Sequence, residues 1–419
     1  MSKKNKNSKE NLEVDEAKDI SSSSSSSSKK RVFNFANYAP KIKVIGVGGG
    51  GGNAVSRMCE DIGIRGIEFI AINTDAQDLD YSKAKKKLYI GKNLTRGLGT
   101  GMNPDLGRQA AEESRAEIVE AVKGADIVFL TIGGGGGTGS GASPVVAEIC
   151  KEAGALTVAV VTKPFNFEGS QRIKIANEAI NRLKDKVDTI VIVPNDRIFS
   201  IIKKDTPLVK AFEFIDEVLR SAVLGISELI SMPGIINLDF SDIRAIMKEA
   251  GPALVGIGIA SGQNRASAAV NQVLKSPLLE INADGAKGVL FGVAGNRDLK
   301  MAEINEIAEN IATVVDPSAK IIFGAYNDKK LNKGQIKVTL IATNFTGQSL
   351  RNLESSSQPL FEEQKLGVFG KSISSMDPEN KKEKTINIPL DKKEDKKMPE
   401  PKKEDSFLDI PSFLRKKKE

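Results

Sequence analysis

The sequence predicts an α/β protein, with an N-terminal Rossmann-like domain on a parallel sheet, one long central helix and a smaller C-terminal α+β domain. Three observations carry this prediction. Short β-branched runs alternate with helical segments between residues 42 and 194, an unbroken apolar-periodic stretch follows at 208–231, and strand-like runs flank helices again after Gly251-Pro252. The 419 residues suffice for two domains plus loose ends, and an apolar content of 40% is ordinary for a packed core.

Taken in order, the β-branched runs place strands at 42–47, 67–73, 126–132, 156–161 and 189–194, with helices at 53–62, 105–123, 141–153 and 170–184. The periodic stretch 208–231 reads as one unusually long helix, which Pro233-Gly234 stops before a loop leads to a helix starting near Asp239. Strands at 253–260, 288–295, 319–326 and 335–343, with helices at 265–275 and 301–314, complete the second domain. The chain thus divides into a disordered Ser/Lys-rich extension at 1–40, a nucleotide-binding domain at 41–207, the central helix at 208–231 and a C-terminal domain at 232–347. A polyampholyte at 348–404 is too polar to bury a core and reads as a disordered linker, ending in a peptide at 405–419.

Composition excludes several function classes. The formal charge of +7 sits largely in the tails, since residues 1–31 carry a net +3 and residues 377–419 a net +2. The remaining body is close to neutral, so no nucleic-acid partner is expected. Aromatics make up 5% of the chain and Trp is absent, which counts against stacking platforms for single strands. The absence of His removes Ser-His-Asp triads, His-ligated zinc and the usual general base, leaving carboxylates, backbone and a metal ion for any hydrolysis. Cys59 and Cys150 lack metal-ligand spacing and read as reduced, buried thiols. No run of about 18 apolar residues exists, so a cytoplasmic protein is expected.

The chemistry lies in two glycine loops. Residues 46–52 run from a strand through Gly46-x-Gly48-x-x-Gly51 into a helix starting at Asn53. Without Cβ atoms the backbone can approach phosphate oxygens, and the free N–H groups of the helix start favour an anion. Alone, this fingerprint also describes a tight turn that binds nothing. The second loop, 133–141, again links a strand to a helix and contains Gly137-Thr138-Gly139. Two such loops at the carboxyl ends of strands in one sheet converge on one anion, and together they are expected to bind the phosphates of a purine nucleotide. A conventional P-loop is ruled out, because Gly370-Lys371-Ser372 has Lys365 where the first glycine belongs.

The run Gly135-Gly136-Gly137-Thr138-Gly139-Ser140-Gly141 resembles the tubulin signature loop G-G-G-T-G-[ST]-G. With residues 44–53, Asn73-Thr74-Asp75-Ala76-Gln77 and Thr162-Lys163-Pro164-Phe165-Asn166-Phe167-Glu168-Gly169, the chain resembles the FtsZ family of tubulin-like division GTPases. The similarity spans about residues 40–345 and resumes at 409–415, and it implies a tubulin-like fold and a GTPase using GTP/GDP and Mg²⁺.

The resemblance places Gly49, Gly50, Gly51, Gly52 and Asn53 under the phosphates, and Gly137, Thr138 and Gly139 around their β/γ end. It sets Glu168 and Arg172 at the ribose, although without the resemblance a solvent-exposed i,i+4 ion pair is the commoner explanation of such a pair. Asp216 corresponds to the base-contacting position, where a carboxylate suits the N1–H and N2–H₂ donors of guanine; the adjacent Glu217 is a second candidate. Asn195 is expected to help hold the base, and Phe212 either packs on it or belongs to the core. Gly134 stands where relatives often carry a bulkier residue and is expected to loosen the loop.

The catalytic element implied is Asn237, Asp239 and Asp242. Read locally, Asp239 is a helix cap and Asp242 sits in the favourable first turn. The family reading has this loop insert over the γ-phosphate of the next subunit, so that hydrolysis needs a head-to-tail contact that generates filaments. The expected partners are further copies of the chain, together with membrane-tethering and division proteins that bind the peptide from Asp409 to Arg415, so that membrane attachment is indirect. The expected location is the cytoplasmic division site. Two alternatives stay open here: an NAD(P)-dependent Rossmann oxidoreductase, and a non-catalytic nucleotide-binding scaffold.

Overall fold

The computed structural model describes residues 40–60, 66–203, 205–232, 234–275, 283–328 and 330–345. The N-terminal part opens with β1 (Ile42–Val47), α1 (Gly48–Glu60), β2 (Ile67–Asn73), α2 (Ala76–Tyr81) and β3 (Lys86–Tyr89). It continues through α3 (Lys92–Thr95), α4 (Pro104–Glu113), α5 (Arg115–Val122), β4 (Ile127–Gly133), α6 (Gly137–Glu152), β5 (Leu156–Lys163), α7 (Ser170–Lys184) and β6 (Thr189–Pro194). The central helix α8 (Leu208–Ser231) leads into β7 (Gly234–Ile236) and α9 (Phe240–Met247). The remainder is β8 (Gly251–Ser261), α10 (Arg265–Leu274), β9 (Ala286–Gly295), α11 (Met301–Ala312), β10 (Lys320–Asn327) and β11 (Gln335–Phe345).

These strands form one sheet in the order β3-β2-β1-β4-β5-β6-β8-β11-β9-β10-β7. The first six run parallel, as expected when every connection is a crossover through helix. Strand order reverses between β1 and β4, which are paired from Ile42↔Ile127 to Val47↔Ile132. Doubly wound sheets open a crevice at the carboxyl ends of the strands flanking such a reversal. Three residue pairs, Thr189↔Gly251 to Val191↔Ala253, join β6 to β8, beyond which pairing becomes mixed.

The apolar stripe of α8 holds the two halves together. Leu219, Ala222, Val223, Ile226 and Leu229 fall at helical spacing and join one core cluster with Val44, Phe129 and Val158 from one side and Leu290 and Ile341 from the other. Each large side chain fully buried there contributes about 1.5–3 kcal/mol. Separate clusters cover the other face of the N-terminal strands and of the C-terminal ones.

The fold departs from the sequence reading in four places. Helix α1 starts at Gly48 and α6 at Gly137, several residues before the expected 53 and 141, so the glycine loops are largely the first turns of helices. The helix expected over 105–123 is two, broken at Ser114, which takes φ −100° and ψ 18° and whose hydroxyl accepts the Gly91 amide at 3.2 Å. Strand β3 and the short α2 and α3 were not expected, and β7 replaces part of the loop expected before Asp239. Gly134 is not a loosening residue: its amide donates to the Thr162 carbonyl at 2.9 Å, and a Cβ there would lie 2.5 Å from that oxygen. The extension at 1–39, the linker and the C-terminal peptide lie outside the described residues.

Candidate functional site: two crossed glycine loops and a distant acidic turn

Strand β1 delivers the first glycine loop and β4 the second, so both emerge beside the strand-order reversal. They pass in backbone contact. A Cβ on Gly50 would lie 3.1 Å from the Cα of Gly133, and one on Gly48, which holds φ +71°, would lie 2.7 Å from the amide of Gly139. Only glycine fits this crossing, which turns the starts of α1 and α6 toward the same crevice. Gly52 faces open space, whereas Gly51 abuts the Thr131 carbonyl. Thr138, in the first turn of α6, is 7% exposed, and its hydroxyl pairs with those of Thr74 at 2.7 Å and Thr100 at 3.3 Å. A second wall thus comes from the segment after β2.

Glu168 and Arg172 do form the i,i+4 ion pair, Nη1 to Oε2 at 2.5 Å, and Glu168 also accepts the Phe165 amide at 3.0 Å. The pair sits against the second loop, since a Cβ on Gly135 would touch the Arg172 carbonyl at 2.9 Å. Phe165 is buried, with Phe167 stacked on it at 4.8 Å and Phe212 meeting it edge-on at 5.6 Å. Phe212 keeps 39% of its surface exposed, so it caps this aromatic group from outside and is not a core residue. Asn195, at the end of β6, is buried, and among the described residues its Oδ1 has no hydrogen-bond partner.

Asp216 on α8 is bonded by Arg57 of α1, Nε to Oδ2 at 3.0 Å. Burial pushes its pKa up to about 6, against the opposing pull of Arg57. The two line a cleft of about 810 Å³ together with Asn53, Glu213, Glu217 and Arg220. Glu217 is more exposed and pairs with Arg220 at 2.8 Å. One helix therefore carries the first glycine loop, Asn53 and, one turn later, the cation that meets Asp216. Arg57 went unrecognised in the sequence, where its i+4 spacing from Asn53 was the available signal. Asp78 was also missed: it lies against Gly49 and accepts from Asn73 at 2.7 Å, and burial and then the neighbouring Asp75 raise its pKa.

Asp239 and Asp242 are not at this crevice. They form a capping box on α9, in which Asp239 Oδ1 accepts the Asp242 amide at 2.8 Å and Asp242 Oδ2 accepts the Asp239 amide at 3.4 Å. Asn237 Oδ1 accepts the Gly234 amide at 2.7 Å and closes the preceding turn. The local cap reading is thus realised, with Asp239 and Asn237 exposed. Strand β7, which leads into this turn, is the last of the sheet, seven steps from β4, on the order of 30 Å along the sheet.

Comparison with known proteins agrees with this geometry. Residues 41–203 match the model of the Tubulin/FtsZ family GTPase domain, and residues 251–346 match that of the FtsZ family C-terminal domain. Among solved structures, an empty FtsZ dimer from M. jannaschii is 49% identical with a TM-score of 0.68, over 73% of this chain and 88% of that one. A point mutant of the M. jannaschii FtsZ is 48% identical with a TM-score of 0.69, over 74% and 92%. CetZ2 from Haloferax volcanii, solved as a GTPγS-bound protofilament, shares the fold at 20% identity and a TM-score of 0.64, over 75% and 97%. Crossed glycine loops at the strand-order reversal, both domain models and this level of identity lead to one conclusion: the chain belongs to the tubulin/FtsZ family and is a GTP-binding, GTP-hydrolysing cytoskeletal protein.

Proposed function

We propose that the protein polymerises head-to-tail, hydrolyses GTP where one subunit meets the next, and builds the contractile division ring at the cytoplasmic side of the septum. The observation that carries this reading is the separation of the glycine crevice from the acidic turn by seven strand steps, so that Asp239 and Asp242 cannot serve the nucleotide of their own subunit. That the similar FtsZ from M. jannaschii is solved as a dimer and CetZ2 as a protofilament supports it.

In this reading Gly49, Gly50, Gly51, Gly52 and Asn53 take the α- and β-phosphates on the start of α1, while Gly137, Thr138 and Gly139 wrap the β/γ end from α6. Arg172, steadied by Glu168, reaches the ribose. The Oδ1 of Asp216 accepts from guanine while Arg57 keeps its Oδ2 engaged, Asn195 supplies its Oδ1, which has no partner among the described residues, and Phe212 flanks the base. Mg²⁺ binds chiefly through phosphates and one or two carboxylates, and it supplies charge neutralisation when bound. Asp78 fits that need, because it lies beside Gly49 and a cation there would offset the burial and the nearby Asp75 charge that raise its pKa.

Asn237, Asp239 and Asp242 of the neighbouring subunit orient the water that attacks the γ-phosphorus. The cap that joins the two acids fixes their relative position before the interface forms. The segment 405–419 serves as the tethering peptide that links the filament to membrane-bound division proteins. The test is Asp242→Ala, which is expected to bind GTP as the parent does yet hydrolyse it poorly; unchanged turnover would refute the assignment.

A further inference from the structure

Lys337 occupies an unusual place. On β11 it shares a face with Thr339 and Ile341, the face turned toward α8, and it is only 9% exposed. An ammonium group there is tolerated only if it is paired. Its Nζ lies 2.6 Å from Glu228 on the last turn of α8, 3.0 Å from Asp328 just past β10, and 5.8 Å above the ring of Tyr326. The Tyr326 hydroxyl closes the group at 3.4 Å from Glu228. Burial opposes the charge on Lys337, but Tyr326, Glu228 and Asp328 outweigh it, and the pKa of Lys337 is raised.

This group is built around the start of the acidic turn. Glu228 precedes the end of α8 by three residues, and β7 follows. The backbone of Tyr326 pairs with Gly234 of β7, and Ala325 pairs with Ile236. Leu238 packs where a Cβ of Gly324 would stand, and Leu229 fills the equivalent space at Gly292 beside the Tyr326 ring. Both routes into the turn, along α8 and across β10, therefore pass through partners of Lys337.

We propose that Lys337 is a positioning residue for hydrolysis: by clamping Glu228 to Asp328 over Tyr326 it sets β7, and with it Asn237, Asp239 and Asp242, at the angle the neighbouring nucleotide requires. This rests on the reading above that the turn acts in trans. A positional error near 1 Å can slow an enzyme about a hundredfold without any change in the reacting groups.

The test uses the full chain carrying Lys337→Met, Lys337→Arg or Asp242→Ala. GTP affinity is measured on dilute protein, and turnover per subunit at saturating GTP above the assembly threshold seen by sedimentation. For Lys337→Met the GTP affinity is expected to stay within about twofold while turnover falls about tenfold or more. Lys337→Arg, which keeps the cation, is expected to recover most of the rate. Wild-type turnover in folded Lys337→Met, or a parallel loss of GTP affinity, overturns the proposal. If Lys337→Met fails to fold, the neutral triple variant Glu228→Gln/Asp328→Asn/Lys337→Met is judged by the same criteria, since uncharged replacements of buried ion pairs commonly fold. An active Asp242→Ala would refute the trans reading itself. An inactive Asp242→Ala beside a fully active Lys337→Met would refute only the role of Lys337.

Discussion

Asp216→Asn separates what the fold gains from what the nucleotide gains. In the nucleotide-free protein the carboxylate is held at a pKa of about 6 against an ordinary value of 3.8, a difference of about two units. Each unit corresponds to about 1.4 kcal/mol, so ionised Asp216 costs the empty fold up to about 3 kcal/mol. The pull of Arg57 is already included in that pKa, so a net gain of about 1–3 kcal/mol is expected for the neutral Asn. The sign follows from linkage. The folded state binds the proton more tightly than the unfolded chain, so this contribution favours folding below pH 3.8 and is lost as pH rises through about 6. Asn does not titrate, so the stability difference between variant and parent should open between about pH 4 and 6 and stay constant above. Urea unfolding of nucleotide-free protein across that range measures it.

The same substitution should cost GTP affinity about 10- to 100-fold, the value of one charged hydrogen bond, because the amide offers guanine one acceptor in place of a carboxylate. It should also shift preference toward xanthosine triphosphate, whose C2 carbonyl accepts from the new amide. An Asp216→Asn protein that is less stable than its parent at pH 7.5, or that binds GTP equally well, would rule out this role for Asp216.

Three further outcomes are expected. Gly134→Ala forces a Cβ toward the Thr162 carbonyl and Ala176, so it should lose about 1–3 kcal/mol in urea titration and weaken GTP binding with it. Cys150 is fully buried and its thiol is pushed up to about 12, so a thiol reagent at pH 8 should spare it in folded protein and label it only in denaturant, while the half-buried Cys59 reacts first. Arg265→Leu strands Glu303, which accepts from the guanidinium at 2.7 and 2.9 Å, and should destabilise the packing of α10 on α11 by about 2–4 kcal/mol, read as a lower urea midpoint.

Elements whose cause is local were legible in the sequence. Strands β1, β2 and β6 and helices α7 and α8 have the bounds their apolar periodicity predicts, and Asp239 caps α9 as its Asp-x-x-Asp pattern requires. The starts of α1 and α6 were misplaced because isolated glycine disfavours helix, whereas here the crossing of two backbones dictates where glycine must stand. The edge strand β3, Lys-Lys-Leu-Tyr, has no apolar alternation and exists through its pairing with β2. The Arg57–Asp216 and Lys337–Glu228 pairs join residues more than a hundred positions apart, and no local pattern announces them. The motifs named the parts of the site, but only topology places the acidic turn far from the loops.

On the proposed reading, a single subunit holds GTP but lacks the groups that hydrolyse it. GTP turnover per subunit, followed as protein concentration rises at saturating nucleotide, tests this most directly. Almost no turnover is expected in dilute protein, then a threshold, then a plateau as subunits assemble. A specific turnover that is flat from the lowest concentration upward would contradict it.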